Sequence, residues 1–275
     1  MSVHNIVIIG ASYGGLPAAH GLLKDVLSQI KKEGHSYKIT MIAPSAYFYW
    51  KVGSPRTIVN PSALPIDKVL LPIKDGFKNY SAEQFEFVQA YARHIDPMAR
   101  TVETDVAGSI GYDSLLICSG TYFSTDYWST SNGAEAVRRA LEDIHRRLPE
   151  AKTVVVAGGG AAGVETAGEL GQTYGGKKDI ILYSGSEQLL NRLTNKAVGK
   201  DAEARLAKMG VKVVNGGVRV VEHINEGGKD ILKLSNGETV EADVYIASTG
   251  DKPNSQFVPK EWVNEKGFVR TDGKT

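Results

Sequence analysis

Two glycine-rich turns carry the first suggestion of chemistry in this 275-residue sequence: GASYGG at residues 10–15 and GGGAAG at residues 158–163. Each follows an apolar run and precedes a helix-like stretch. The second fills every slot of G-x-G-x-x-G with Gly158, Gly160 and Gly163. In that pattern one glycine makes the tight turn, one lets backbone approach a pyrophosphate, and one lets helix pack on strand. The first turn keeps Gly10 and Gly15 but has Ser12 in the middle slot, where a hydroxyl would itself hydrogen-bond phosphate. The same letters also spell G-x-S-x-G, the elbow that presents a serine nucleophile. Only eleven residues precede Ser12, too few to supply the strands and oxyanion-hole loop that an elbow needs, so a phosphate turn is the better reading.

Such turns work only between a strand and a helix, and the sequence supplies both, twice. The first copy reads as a strand at 4–9, a helix from the turn to about residue 32, and a strand at 37–43. Residues 44–65 are irregular, rich in aromatics, Pro and Ser, and an amphipathic helix is expected at 67–80. Then come the strand-like runs FEFVQAYARHID, RTVETD and IGYDSLLICSG, the first two joined at Pro97, which predicts a meander returning to the sheet. A helix at 132–147 leads to the second copy: TVVVAGGG, its helix, the strand DIILYSG, a helix at 196–208 and the strand VKVVNGG. VRVVEHI, DILKLSN and ETVEADVYIASTG form the second meander and return strand. An internal repeat of this kind outweighs either motif alone. It predicts an α/β fold of two nested Rossmann-like dinucleotide-binding domains, each with a parallel sheet and a β-meander crossover. The expected boundaries are 1–122 for the first part of the outer domain, 123–247 for the inserted domain, and 248–275 for the return.

Bulk properties narrow the partners. A formal net charge of +1 with 23% charged residues gives no electrostatic case for nucleic acid. Cys118 is the single cysteine, so there is no internal disulfide and no paired-thiol redox chemistry. No apolar run approaches the roughly 18 to 20 residues of a membrane span. The N-terminus lacks a signal-peptide pattern, and Ser2 stands where myristoylation needs glycine. A soluble, cytoplasmic protein acting on a small molecule, with no metal, is expected.

The stretches GASYGGL, YFYWKVGSPR, GGGAAGVETAGEL and STGDKPNS resemble the apoptosis-inducing-factor-like branch of the two-dinucleotide flavoproteins, especially its fungal and ferroptosis-suppressor types. The resemblance implies FAD in the outer domain and NAD(P)H in the inserted one, with hydride passing from nicotinamide to flavin and electrons on to a quinone or other small acceptor. It places Gly10, Ser12 and Gly15 on the FAD pyrophosphate, Ala92 near the adenine, and Ser119 and Gly120 over the cofactor. Gly158, Gly160 and Gly163 would hold the NAD(P) pyrophosphate. Glu165 and Lys51 would stand at the nicotinamide–flavin contact as the catalytic pair. Gly14, Pro44, Ser45, Arg56, Ala161, Ser184, Gly250 and Asp251 complete the candidate cofactor-contacting set.

Three departures qualify the resemblance. No Asp or Glu occurs between Glu33 and Asp67 to grip a ribose; Ala43, Pro44 and Ser45 follow the second strand instead. After the corresponding strand of the second copy, Glu187 leans toward NAD and Arg192 toward NADP. The sequence also stops at GFVRTDGKT, where relatives continue to a second flavin motif and an interface domain. That predicts either a naturally shortened member or a clipped sequence, lacking the interface domain, with its flavin site open on one face unless another subunit covers it; a homodimer is expected. Two further functions stay open. A redox-inactive descendant would use a cleft lined by Tyr47, Tyr49, Trp50 and their neighbours to bind an apolar substrate for cyclisation, isomerisation or dehydration. A binding module would sense NAD(P)H through the intact second turn.

Overall fold

The computed structural model describes residues 2–30, 35–250 and 252–272. Strand β1 (Ser2–Ile9) is followed by helix α1 (Gly15–Gly21), which widens into a π turn at Leu22–Val26. The expected helix end near residue 32 lies outside the described residues. Strand β2 (His35–Ala43), the bridging helix α2 (Ser54–Val59), and strands β3 (Phe85–Gln89) and β4 (Ser114–Ile117) complete the outer unit. Its sheet is parallel, in the order β3-β2-β1-β4. Helix α3 (Ala134–Arg147) leads to the inner unit, whose parts are β5 (Thr153–Ala157), α4 (Ala161–Tyr174), β6 (Asp179–Tyr183), β7 (Val211–Val214) and β8 (Val244–Ala247). Its sheet, again parallel, runs β7-β6-β5-β8. The two sheets therefore share one topology. Each adds a three-stranded antiparallel meander, Ala92–Gly111 in the outer unit and Val220–Ala242 in the inner one, so the expected architecture is present.

Parallel strands are apolar where both faces are covered, and the centres of β1 and β5 follow that rule. Val7, Ile8, Val154, Val155 and Val156 have no exposed surface. The chain crosses between units at Thr121–Tyr122 and returns at Lys252–Pro253, and these two segments pair antiparallel. Beyond the return, Phe257 and Val258 are buried beneath the outer sheet with Val7, Ile42 and Ile95, and Ile95 N–H donates to the Phe257 carbonyl at 3.1 Å.

Three expectations are corrected. The amphipathic helix at 67–80 is instead two short helices, Ile66–Val69 and Ile73–Phe77, split by the strand Leu70–Pro72. Pro72 has no N–H to donate and steers Leu71 toward extended backbone. The freed segment pairs with Tyr47–Tyr49, inside the stretch read as irregular. FEFVQAYARHID is two strands rather than one: β3 joins the parallel sheet and Ala92–Asp96 joins the meander. The break falls where Ala90 N–H bonds to the Ala43 carbonyl and Tyr91 N–H turns to Asp105. Finally, residues 54–59 form α2, whose Ile58 and Val59 pack into the same core as Val154, Val156 and Leu170 of the inner unit.

Candidate dinucleotide clefts

The two glycine turns are built alike, for a reason that can be measured. Gly10 and Gly158 have φ of +109° and +122°, a region that favours glycine. Gly10 N–H donates to the Ile42 carbonyl at the end of β2, and Gly158 N–H to the Tyr183 carbonyl at the end of β6, both at 2.8 Å. A β-carbon on Gly15 would stand 1.8 Å from the Gly10 oxygen, and one on Gly163 the same distance from the Gly158 oxygen. Helix and strand meet so closely that only glycine fits. Gly160 is different: a β-carbon there would meet no protein atom within 4 Å. The protein itself does not require glycine at that position, which fits a pyrophosphate approaching from outside.

The outer turn opens into a cleft of about 200 Å³ at the carboxyl ends of β1, β2 and β4. Gly10, Ser12, Gly14, Pro44, Ser45, Ala92, Ser119, Gly120, Tyr49 and Lys51 all line it. This is the crevice at which open α/β sheets bind ligands. Among the described lining residues there is no carboxylate, and Lys51 supplies the one full positive charge. Its ammonium stands 5.5 Å from the Tyr13 ring centroid, and Tyr13 meets Phe48 edge-on at 5.3 Å.

Ser45, in the position of the missing ribose acid, is buried, and its hydroxyl folds back locally. It donates to the Tyr47 carbonyl at 2.9 Å and accepts from Tyr47 N–H at 3.0 Å. Ser184 repeats the arrangement after β6, donating to the Ser186 carbonyl at 2.7 Å and accepting from Ser186 N–H at 3.3 Å. Each hydroxyl thus has its single donor committed within its own turn.

Arg56, Glu165, Tyr47 and Trp50 lie outside this lining. Arg56, on α2, pairs with Glu169 of α4 at 2.8 Å, tying the two units together. Glu165, one helical turn before Glu169, is exposed, yet partial desolvation raises its carboxyl pKa and Glu169 raises it further. Trp50 is exposed and Tyr47 half-buried. Tyr49 lines the cleft and is also locked in place: its hydroxyl donates to the Tyr127 carbonyl at 2.9 Å and accepts from Ser54 at 2.8 Å, and burial pushes it up to about 12. Gly250 has φ of +79°, and Asp251 lies outside the described residues.

Sequence reasoning missed the segment Trp128–Ser131, which also lines the cleft. Trp128 is buried, and its Nε1–H donates to the Ala247 carbonyl, the last of β8, at 2.7 Å. The aromatic, hydroxyl-rich run YFSTDYWSTS was the available signal. Cys118 also lines the cleft, half-buried beside Gly14, and burial raises its thiol pKa.

Two parallel sheets of equal topology, each with a glycine turn at its carboxyl edge, define a two-dinucleotide oxidoreductase fold. The family model for pyridine nucleotide-disulphide oxidoreductases matches residues 4–275, and the chain belongs to that family. It is 38% identical over 274 residues to Oxidoreductase ptaL of Pestalotiopsis fici, covering 98% of this chain and 72% of that protein. It is 31% identical to Oxidoreductase phnG of Penicillium herquei, covering 100% and 71%. The resemblance suggested by the motifs is present too: apoptosis-inducing factor 1 of Saccharomyces cerevisiae is 25% identical over 99% of this chain and 70% of its own length. Among solved structures, the sulfide:quinone oxidoreductase of Aquifex aeolicus superposes with a TM-score of 0.75 at 21% identity, covering 97% of this chain and 64% of that one. An engineered NADPH oxidase also gives 0.75, at 17% identity, covering 98% and 59%. At these identities the structures show the fold alone. Family membership supports NAD(P)H-linked oxidoreductase activity with flavin and pyridine-nucleotide binding. Among the described residues, no helix is long and apolar enough to cross a membrane.

Proposed function

We propose that this chain is an FAD-dependent NAD(P)H oxidoreductase that passes electrons to a quinone-like or other small acceptor. The observation that carries the reading is the outer cleft, which gathers residues from six separate chain segments around one phosphate-type turn. The turn residues Gly10, Ser12 and Gly14, together with Ser119 and Gly120, would hold FAD, and Gly158, Gly160 and Gly163 would hold the nicotinamide dinucleotide. When bound, the flavin supplies hydride acceptance and onward electron release. The chain's own part is to bind, orient and bias charge. Lys51 places a positive charge in a cleft that holds no lining carboxylate, which favours an anionic ligand. Glu165, its pKa raised, keeps a proton more readily than an ordinary carboxyl does. Arg56 and Glu169 fix the turn of α4 that carries it.

The test is a visible spectrum of the purified protein before and after FAD is added, followed by anaerobic NADH or NADPH. The expected result is a flavin band near ~450 nm that bleaches with the nicotinamide. Protein that takes up no FAD would overturn the proposal. One observation favours the second reading, a redox-silent cleft: the Ser45 hydroxyl has its donor bonded to Tyr47, leaving the ribose position poorly equipped. That reading predicts conversion of a small apolar substrate with no NAD(P)H consumed.

A further inference from the structure

Discrimination between the two nicotinamide dinucleotides rests on the residues beyond the second strand of the inner sheet. NAD-binding units place a carboxylate there for the ribose hydroxyls, and a nearby arginine accommodates a 2′-phosphate. Here the strand ends in Tyr183, followed by Ser184, whose hydroxyl donates back to Ser186. Neither Ser184 nor Gly185, the two residues directly after the strand, carries a carboxylate to repel a phosphate.

The same spot is bordered by a second loop, residues 215–219, which backbone hydrogen bonds lace to it. Ser184 N–H donates to the Val214 carbonyl, Gly185 N–H to Val218 at 3.2 Å, and Gly217 N–H to Ser186 at 3.1 Å. This lacing brings the Arg219 β-carbon to 3.5 Å from where a β-carbon on Gly185 would stand. The Arg219 backbone is fixed from both sides, its N–H to the Ser235 hydroxyl and its carbonyl to Ser235 N–H. Its side chain is exposed, and among the described residues the guanidinium has no ion pair or hydrogen-bond partner. Arginines elsewhere in the inner unit are used: Arg147 pairs with Asp230 and Arg205 with Asp201. Glu187, the first acid after Ser184, forms no ion pair among the described residues, and its Oε1 lies 3.8 Å from the β-carbon position of Gly217. Arg192 is also unpaired, but it belongs to the 190–193 turn, which is anchored to the glycine turn through Leu190 N–H and the Gly159 carbonyl.

We propose that the inner glycine turn prefers the 2′-phosphorylated dinucleotide, and that Arg219 is the residue that recognises the phosphate. A planar guanidinium meets phosphate through paired hydrogen bonds, a match that a serine or an amide does not provide. The inference rests on the reading of the inner turn as a nicotinamide-dinucleotide site. It is independent of whether flavin binds.

Calorimetric titration of the full chain with adenosine 2′,5′-bisphosphate and with 5′-AMP separates the claims. The expected result is that the bisphosphate binds about ten- to a hundredfold more tightly, the range of a charge-assisted contact. Arg219→Ala removes that advantage and leaves 5′-AMP unchanged, while Arg219→Lys keeps part of it. Arg192→Ala and Glu187→Gln leave the advantage in place. Equal binding of the two nucleotides by the unaltered chain overturns the proposal while the dinucleotide site stands. Loss of the advantage in Arg192→Ala rather than Arg219→Ala overturns the assignment to Arg219. Weakened 5′-AMP binding by Glu187→Gln identifies a ribose-gripping carboxylate and overturns the preference. Failure of NAD+, NADP+ and both mononucleotides to bind overturns the site itself.

Discussion

Gly160 and Gly163 stand three residues apart and answer to different demands. Gly163 is required by the protein, because a β-carbon there would collide with the Gly158 oxygen at 1.8 Å. Gly160 faces open space with φ of −79°, so nothing in the fold forbids alanine. Gly160→Ala is therefore expected to change stability by no more than about 1 kcal/mol, as a cap substitution does. It should nonetheless weaken NAD(P) binding at least about tenfold, because a β-carbon there keeps the pyrophosphate from closing on the protein backbone. Gly163→Ala should instead lower thermal stability markedly. Thermal melts paired with nucleotide titration check both, and a Gly160→Ala protein with unimpaired binding would refute the role given to that position.

At the scale of elements, the inner meander is fastened to the sheet through two carboxylates. Asp230 is buried and takes Arg147 of α3 at 2.6 Å, His223 at 2.8 Å, Asn225 at 2.9 Å and Tyr245 N–H at 3.0 Å. Although burial raises its pKa, Asn225, His223 and Arg147 together outweigh burial and hold the carboxyl below the usual range. Removing one partner of a fully buried pair costs about 3–5 kcal/mol. Arg147 keeps some solvent access, so Asp230→Ala is expected to cost about 2–3 kcal/mol, to be read from denaturant unfolding. Asp243 is held at about 2 instead of 3.8, first by Lys229 at 2.5 Å and then by Thr153 N–H. A depressed folded pKa stabilises the native state above the unfolded value, and that stabilisation is lost as protons return. Stability should therefore fall as pH drops from about 4 toward 2, with a shallower fall in Asp243→Asn. Melts across that window measure it; equal slopes in the two proteins would contradict the assignment.

Over the whole molecule, α2 is the joint. It lies in the outer unit by sequence, yet its Ile58 is fully buried against inner-unit residues, and its Thr57 carbonyl accepts from His145 Nε2–H at 2.7 Å. Apolar packing dominates this joint, because the Arg56–Glu169 pair is largely exposed on the arginine side, and such pairs contribute at most about 1 kcal/mol. Ile58→Ala is expected to destabilise by about 2–5 kcal/mol and Arg56→Ala by less than about 1. Chemical denaturation ranks the two, and a larger cost for Arg56→Ala would reverse this account of the joint.

Much of the fold is legible in the sequence alone. The apolar runs at β1, β2, β5 and β6 followed by glycine turns determined the nested α/β repeat, because strand, turn and helix signals are local and appeared twice. Gly10, Gly15, Gly158 and Gly163 could be singled out for the same reason: each answers a steric demand from residues within a few positions or at the adjoining strand end. Other features depended on residues far apart in the chain, and only the tertiary structure decided them. The 67–80 segment has a helical pattern, but Pro72 and pairing with Tyr47–Tyr49 divide it. Trp128 joins the cleft through a carbonyl 119 positions away. Ser45 and Ser184 follow the strands that usually end in a ribose-gripping acid, but their hydroxyls are committed within their own turns. Arg219 stands beside Gly185 because the loop after the third inner strand folds onto the loop after the second, a meeting that no local pattern encodes.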